Sequence, residues 1–178
     1  MVRVARVLVM MLAFGLAFGT ASAAEIADGA KELAFGFSYA DTADVGTSLD
    51  LDGRLGWFLT PANELGVVAS YFDVSLDGPG STGDADGGAG GVFYRFNFRT
   101  GSETLVPFVG AQMLWPFGDV SDVIDYSLGV EAGTRFLVGN SASVNVALFY
   151  QEDYGASGFS DTETFGLLAG ISIFFGNQ

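Results

Sequence analysis

The chain has no cysteine and no histidine, and only seven lysines and arginines stand against 21 aspartates and glutamates in 178 residues. Without cysteine there is no disulfide framework and no lipid-anchoring thiol. Without histidine the usual general base is missing, and with it every Ser–His or Cys–His nucleophile arrangement. Only carboxylates remain as candidate acids and bases, so no enzyme is expected. A chain this acidic is also a poor match for nucleic acid, whose phosphates demand Lys and Arg. The uncharged run near its start, from Val7 to Gly19, falls short of the ~20 apolar residues that a membrane-spanning helix needs.

That stretch has another reading. Arg3 and Arg6 precede it, and Ala21-Ser22-Ala23 follows it. A basic start, a short apolar helix and a small-residue exit form a secretory signal peptide, here 1–23, with cleavage expected after Ala23 or Ala24. The remainder, 24–178, suits one domain. It keeps five basic residues, Lys31, Arg54, Arg95, Arg99 and Arg135. Disorder is excluded by a hydrophobic content of 49% and by 17 phenylalanines.

The mixture of acid, glycine and aromatic residues becomes intelligible through its period. Successive side chains of a strand point to opposite faces, so odd and even positions sort by face. In "SLDLDGRLGWFLT" the odd positions carry Leu49, Leu51, Leu55, Trp57 and Leu59, and the even ones carry Asp50, Asp52 and Arg54. Leu33, Phe35, Phe37 and Tyr39 likewise oppose Ala34, Gly36, Ser38 and Ala40. Eight such runs occur, near 32–40, 48–59, 65–76, 89–99, 105–115, 125–138, 143–152 and 163–175. The connections alternate as well: "TPANE", "TGSET" and "GNS" are short, whereas "DTADVGT", "DGPGSTGDADGG", "PFGDVSDVI" and "DYGASGFSD" are long and acidic.

Short turns at one end and long loops at the other mark an antiparallel up-and-down transmembrane β-barrel, with both termini on the periplasmic, short-turn side. Lipid cannot satisfy a backbone, so a spanning sheet must close on itself. Outward aromatics fall at both strand ends: Tyr39, Tyr71, Trp115, Tyr126, Tyr150 and Phe165 by the loops, and Trp57, Phe98, Phe136 and Phe175 by the turns. They form the two girdles expected at membrane interfaces. A soluble barrel would carry its charges outside and its bulky apolar residues inside. Four of the five basic residues instead share the parity of the glycine-rich face.

At "GRLGWFLTPANELGVVASYF", "GVFYRFNF" and "TLVPFVGAQM" the chain resembles the small outer-membrane β-barrel domain family of OmpA/OmpX type. The resemblance spans nearly the whole of 24–178. It implies a monomeric eight-stranded barrel in a Gram-negative outer membrane, without a common enzymatic activity. The partners it implies are outer-membrane lipid and lipopolysaccharide, and the β-barrel assembly machinery during biogenesis.

The interior positions hold the candidate functional residues: Asp50, Asp52 and Glu131 with Arg54, Arg95 and Arg135, joined by Gln112, Asn97, Asn145 and Gln151. Asp50 and Asp52 lie on one strand face with Cα atoms roughly 6.5–7 Å apart, a spacing that acid–base chemistry could use. An eight-stranded interior is only wide enough for its own side chains, however, and buried charges are paired. The expectation is an Arg–carboxylate network filling the lumen, with Phe58, Phe72, Phe93, Phe108, Phe149 and Phe174 around it. No cofactor is expected, and no metal: a calcium loop counted from Asp84 would place Arg95 where a bidentate Glu belongs. Asp77, Asp84 and Asp86 therefore read as members of a solvated loop. The function expected is a non-enzymatic structural or surface-interaction role in the envelope, with an unknown surface partner at the acidic loops. The alternative is a narrow or gated porin for ions or small solutes.

Overall fold

The computed structural model describes residues 26–42, 46–75, 84–102, 104–139, 141–157 and 160–176, with the side chains at 40–42, 46–49, 72–75 and 84–86 excepted. The leader expected at 1–23 lies outside these residues. Eight strands follow one another: β1 (Lys31–Thr42), β2 (Gly46–Thr60), β3 (Asn63–Ser75), β4 (Asp84–Asn97), β5 (Leu105–Gly118), β6 (Ile124–Leu137), β7 (Ala142–Gly155) and β8 (Thr162–Phe175). Each pairs antiparallel with its neighbour in sequence, and β1 pairs with β8, so the sheet closes into a barrel. Closure leaves no unpaired edge.

The register fixes the shape. Stepping across the strands from Lys31 leads through Trp57, Leu65, Tyr94, Ala111, Val130, Tyr150 and Phe165, and back to β1 at Asp41. The sheet thus closes with a stagger of ten residues, Lys31 to Asp41, which inclines the strands at roughly 35–45° to the barrel axis. At one end the connections are tight. Pro61 and Ala62 alone join β2 to β3, where the Thr60 hydroxyl accepts hydrogen bonds from the backbone N–H and the side-chain amide of Asn63 at 3.1 and 2.6 Å.

Burial is inverted relative to a soluble protein. Arg135 and Glu64 are 0% exposed, whereas Leu51 is 59% and Phe165 57% exposed. The outer surface is a continuous apolar band that includes Leu33, Phe35, Phe37, Leu167, Ile171 and Ile173.

At the loop end the strands run further than the alternation extends. β4 begins at Asp84, so Asp84 and Asp86 stand in a strand and not in the loop expected for them. β5 continues to Gly118, beyond the expected 115, before a short 3₁₀ turn, Asp119–Asp122, that buries Val120. Once a hairpin leaves the lipid zone both its faces meet water. The apolar alternation fades there although the backbone ladder continues from Tyr71↔Gly88 to Ser75↔Asp84.

The short-turn end is closed by residues ahead of β1. Gly29, at φ +77°, turns the chain so that Ala30 N–H bonds to the Ala27 carbonyl at 3.1 Å. Gly29 donates to the Phe58 carbonyl and Phe58 donates to the Ala30 carbonyl, at 3.0 and 2.9 Å. Ile26 and Ala30 are thereby buried against the inward rings of Phe58 and Phe174, with Ala27 and Leu137 beside them.

Candidate functional site

The lumen carries a stack of ion pairs that crosses from strand to strand. Asp52 and Arg54 are two residues apart on β2 and share its inner face. Arg54 Nε donates to Asp52 Oδ2 at 3.1 Å, its Nη1 to both oxygens of Glu131 at 3.0 and 3.2 Å, and its Nη2 to Gln112 Oε1 at 3.3 Å. Arg95 on β4 reaches the same Glu131 through Nε at 2.9 Å and Nη2 at 2.7 Å. Its Nη1 lies 3.8 Å from Glu32 Oε1 and 3.7 Å from Glu64 Oε2. Nearer the short turns, Arg135 on β6 donates to Glu32 on β1 and Glu64 on β3, each at 2.6 Å. The Ser172 hydroxyl donates to the other Glu32 oxygen, and Asn145 donates to Ser172.

Aromatic rings fill the space around the guanidiniums. Arg95 lies 4.5 Å from the centre of the Phe108 ring, and Arg135 is 5.5–5.7 Å from Phe58, Phe108 and Phe174. Removed from water, such cation–π contacts gain strength. Phe58, Phe93, Phe108 and Phe174 are buried, Phe149 is partly so, and the Phe72 side chain lies outside the described set.

The inner glycines have a specific purpose. In register, Gly36 faces Asp52, Gly110 faces Glu131 and Gly129 faces Gln112. A Cβ built on Gly36 would meet Asp52 Oδ1 at 2.7 Å, one on Gly110 would meet Glu131 Oε1 at 2.8 Å, and one on Gly129 would meet Gln112 Cγ at 2.9 Å. Each long polar side chain lies flat across a strand that lacks a side chain at that point.

Asp52, Arg54, Arg95, Gln112 and Glu131, expected together from parity, are in mutual contact. Arg135 joins them only through different carboxylates, Glu32 and Glu64. Asp50 accepts from Ser38 at 3.2 Å. Glu32 and Glu64 were not among the residues expected in the lumen, because they sit at strand starts. Glu64 belongs to "TPANE", read as a turn, but β3 begins at Asn63. Extending the even parity of Gly66 and Val68 back by one step places Glu64 inside, and the same step from Ala34 places Glu32 inside. Towards the loops the lumen holds one more buried acid, Asp153, which accepts from Gln151 at 2.7 Å and Thr162 at 3.5 Å.

The girdle residues lie at the two ends of the outer surface. Trp57, Phe136 and Phe175 are exposed at the turn end, where Lys31 pairs with both Trp57 and Phe175. Phe98 follows the end of β4 and packs edge-on against Phe96, with ring centres 5.0 Å apart. At the loop end Tyr39, Tyr71, Trp115 and Phe165 are exposed, and Tyr126 and Tyr150 are half-buried. Tyr126 stacks on Tyr154 with ring centres 4.6 Å apart.

Among the described residues no group of three or more acidic, His or Cys side chains is arranged to hold a metal ion. Asp77, part of the calcium-loop reading, lies outside the described residues.

No protein-family model matches the chain, and no characterised sequence matches it. Solved structures do. Neisserial surface protein A superposes with a TM-score of 0.62 at 15% identity, covering 82% of this chain and 96% of that one. OprG of Pseudomonas aeruginosa gives 0.57 at 14% identity, with 88% and 100% covered. The N-terminal barrel domain of Pseudomonas aeruginosa OprF gives 0.53 at 16% identity, with 83% and 98% covered. The chain has the fold of these small eight-stranded outer-membrane β-barrels.

Proposed function

We propose that the chain is an integral outer-membrane protein of a Gram-negative envelope, with a filled lumen and a structural or surface-interaction role that involves no catalysis. One observation carries the reading: the interior is spanned by guanidinium–carboxylate pairs at 2.6–3.2 Å packed among buried phenylalanines, with Glu32, Asp52, Glu64 and Glu131 held by arginines. The inverted burial and the outer-membrane provenance of the similar structures support the location. The leader at 1–23 supplies the export route, and the assembly machinery inserts the chain as a monomer into outer-membrane lipid and lipopolysaccharide. Lys31 and Arg99 belong to the turn end, and Arg54, Arg95 and Arg135 to the lumen, so the loop end presents carboxylates without basic residues. Such a surface repels polyanions and gathers divalent cations diffusely.

The gated-pore reading draws on Arg95. This residue is bonded to Glu131 while its remaining nitrogen points at Glu32 and Glu64 from 3.7–3.8 Å.

The test is expression of the full chain in a Gram-negative host with an epitope inserted within 76–83. The reading expects the protein in the outer-membrane fraction, antibody staining of intact cells, and no faster entry of a small hydrophilic dye. A periplasmic pool contradicts the location, and rapid dye entry shifts the reading to the pore.

A further inference from the structure

The ion pairs of the lumen do not balance evenly. Arg54 and Arg95 between them neutralise Glu131 and Asp52, so the upper group is two against two. Arg135 alone makes close contacts with Glu32 and Glu64, and Arg95 Nη1 stands beyond hydrogen-bond range of both. The lower group is therefore two carboxyls in close contact with one guanidinium, with Arg95 only at 3.7–3.8 Å, and that shared guanidinium brings the two carboxyls together. Two carboxylates that share a dry site do not both remain ionised.

The hydrogen bonds distinguish the two acids. Glu32 receives a donor on each oxygen, from Arg135 and from Ser172. Glu64 receives Arg135 on Oε2, whereas its Oε1 is buried with no donor. An ionised carboxylate oxygen left without a donor in this position would bear the full penalty of desolvation. A protonated one would not. Oε1 also lies where a side chain on Gly56 would begin, wedged against that backbone, and such a fit suits a proton better than a coordinated ion.

We propose that the Glu32–Glu64 pair is a proton-binding site and that Glu64 carries the proton at neutral pH. The charged and titratable groups facing it are Glu32 from β1, Asp52 and Arg54 from β2, Arg95 from β4, and Glu131 and Arg135 from β6. β5, β7 and β8 contribute the uncharged Phe108, Asn145 and Ser172. Ile26 and Ala30 close the approach from the short-turn end. Loss of the proton sets two negative charges on one guanidinium, so the lower lumen loosens as the medium becomes alkaline.

The test uses the mature barrel, residues 24–178, folded in lipid vesicles, with Glu64→Gln, Glu32→Gln and Glu131→Gln beside the parent. Infrared spectra at neutral pH should show the carbonyl stretch of a protonated carboxylic acid in the parent but not in Glu64→Gln. The urea midpoint of Glu64→Gln should match the parent at neutral pH and lose the parent's decline at alkaline pH, while Glu131→Gln unfolds at lower urea. Should Glu64→Gln fail to fold, titration of the infrared band in the parent still reports whether the proton is there. The proposal is overturned if the parent lacks the band and Glu64→Gln weakens the barrel as much as Glu131→Gln does. It is equally overturned if the band survives in Glu64→Gln and vanishes in Glu32→Gln. A sodium- or potassium-dependent midpoint that Glu64→Gln abolishes overturns it too, in favour of a bound alkali cation.

Discussion

Arg135 holds Glu32 through Nη1 and Glu64 through Nη2, each at 2.6 Å, so one guanidinium ties β6 to β1 and β3 across the lumen. The two-armed geometry is one that only arginine offers. Arg135→Ala should lower unfolding stability in lipid vesicles by roughly 3–5 kcal/mol, the usual loss when one partner of a buried ion pair is removed. Arg135→Lys should recover only part of it. Fluorescence of Trp57 and Trp115 during urea titration measures both.

The inner glycines make a sharper comparison. Gly110→Ala drives a methyl group towards Glu131 Oε1, the oxygen shared by Arg54 and Arg95. Overpacking of this kind costs about 1–3 kcal/mol. Gly53→Ala meets nothing within 4 Å and should leave the urea midpoint unchanged or slightly raised.

Ile26 and Ala30 seal the short-turn end against Phe58 and Phe174. Ile26→Asp removes ~1.5–3 kcal/mol of apolar burial, which raises the open population roughly ten- to hundredfold. The chain has no cysteine, so Ser143→Cys, a buried position on β7 at that end, supplies a single reporter. A charged thiol reagent should label it faster by that factor in the Ile26→Asp background, and equal rates would refute the seal.

Lipid contact can be tested on the opposite face. Ile171 pairs with Phe35 and Val144, about midway between the girdle residues Phe165 and Phe175 of β8. Ile171→Arg should destabilise the vesicle-embedded barrel by roughly 2–4 kcal/mol, the value for a cation at the bilayer midplane. On a soluble barrel the same exposed position would tolerate arginine with little change.

The architecture was legible because its signal is local and repeated. Leu49 to Leu59 and Asp50 to Arg54 separate by parity alone, and eight such runs with alternating turn lengths leave few topologies. Asp52, Arg54, Gln112 and Glu131 were legible for the same reason. The partners of Arg135 were not, since Glu32 and Glu64 stand at strand starts, where alternation has only one neighbour from which to be read. Which charges meet across the lumen also depends on the ten-residue stagger from Lys31 to Asp41, a property of closure that no single strand encodes. The seal made by Ile26 follows from the φ +77° turn at Gly29, and it was not apparent in residues that stand ahead of the first alternating run.

The central claim is that this lumen is closed by its own side chains. Single-channel recording of the refolded barrel, residues 24–178, in a planar bilayer at neutral pH and moderate salt tests it most directly. A closed lumen predicts a silent membrane despite confirmed insertion, with current arising only when Arg95 or Glu131 is removed. Discrete, reproducible steps from the unmodified barrel would contradict the claim and make the Arg54, Arg95, Arg135 and Glu131 network a gate.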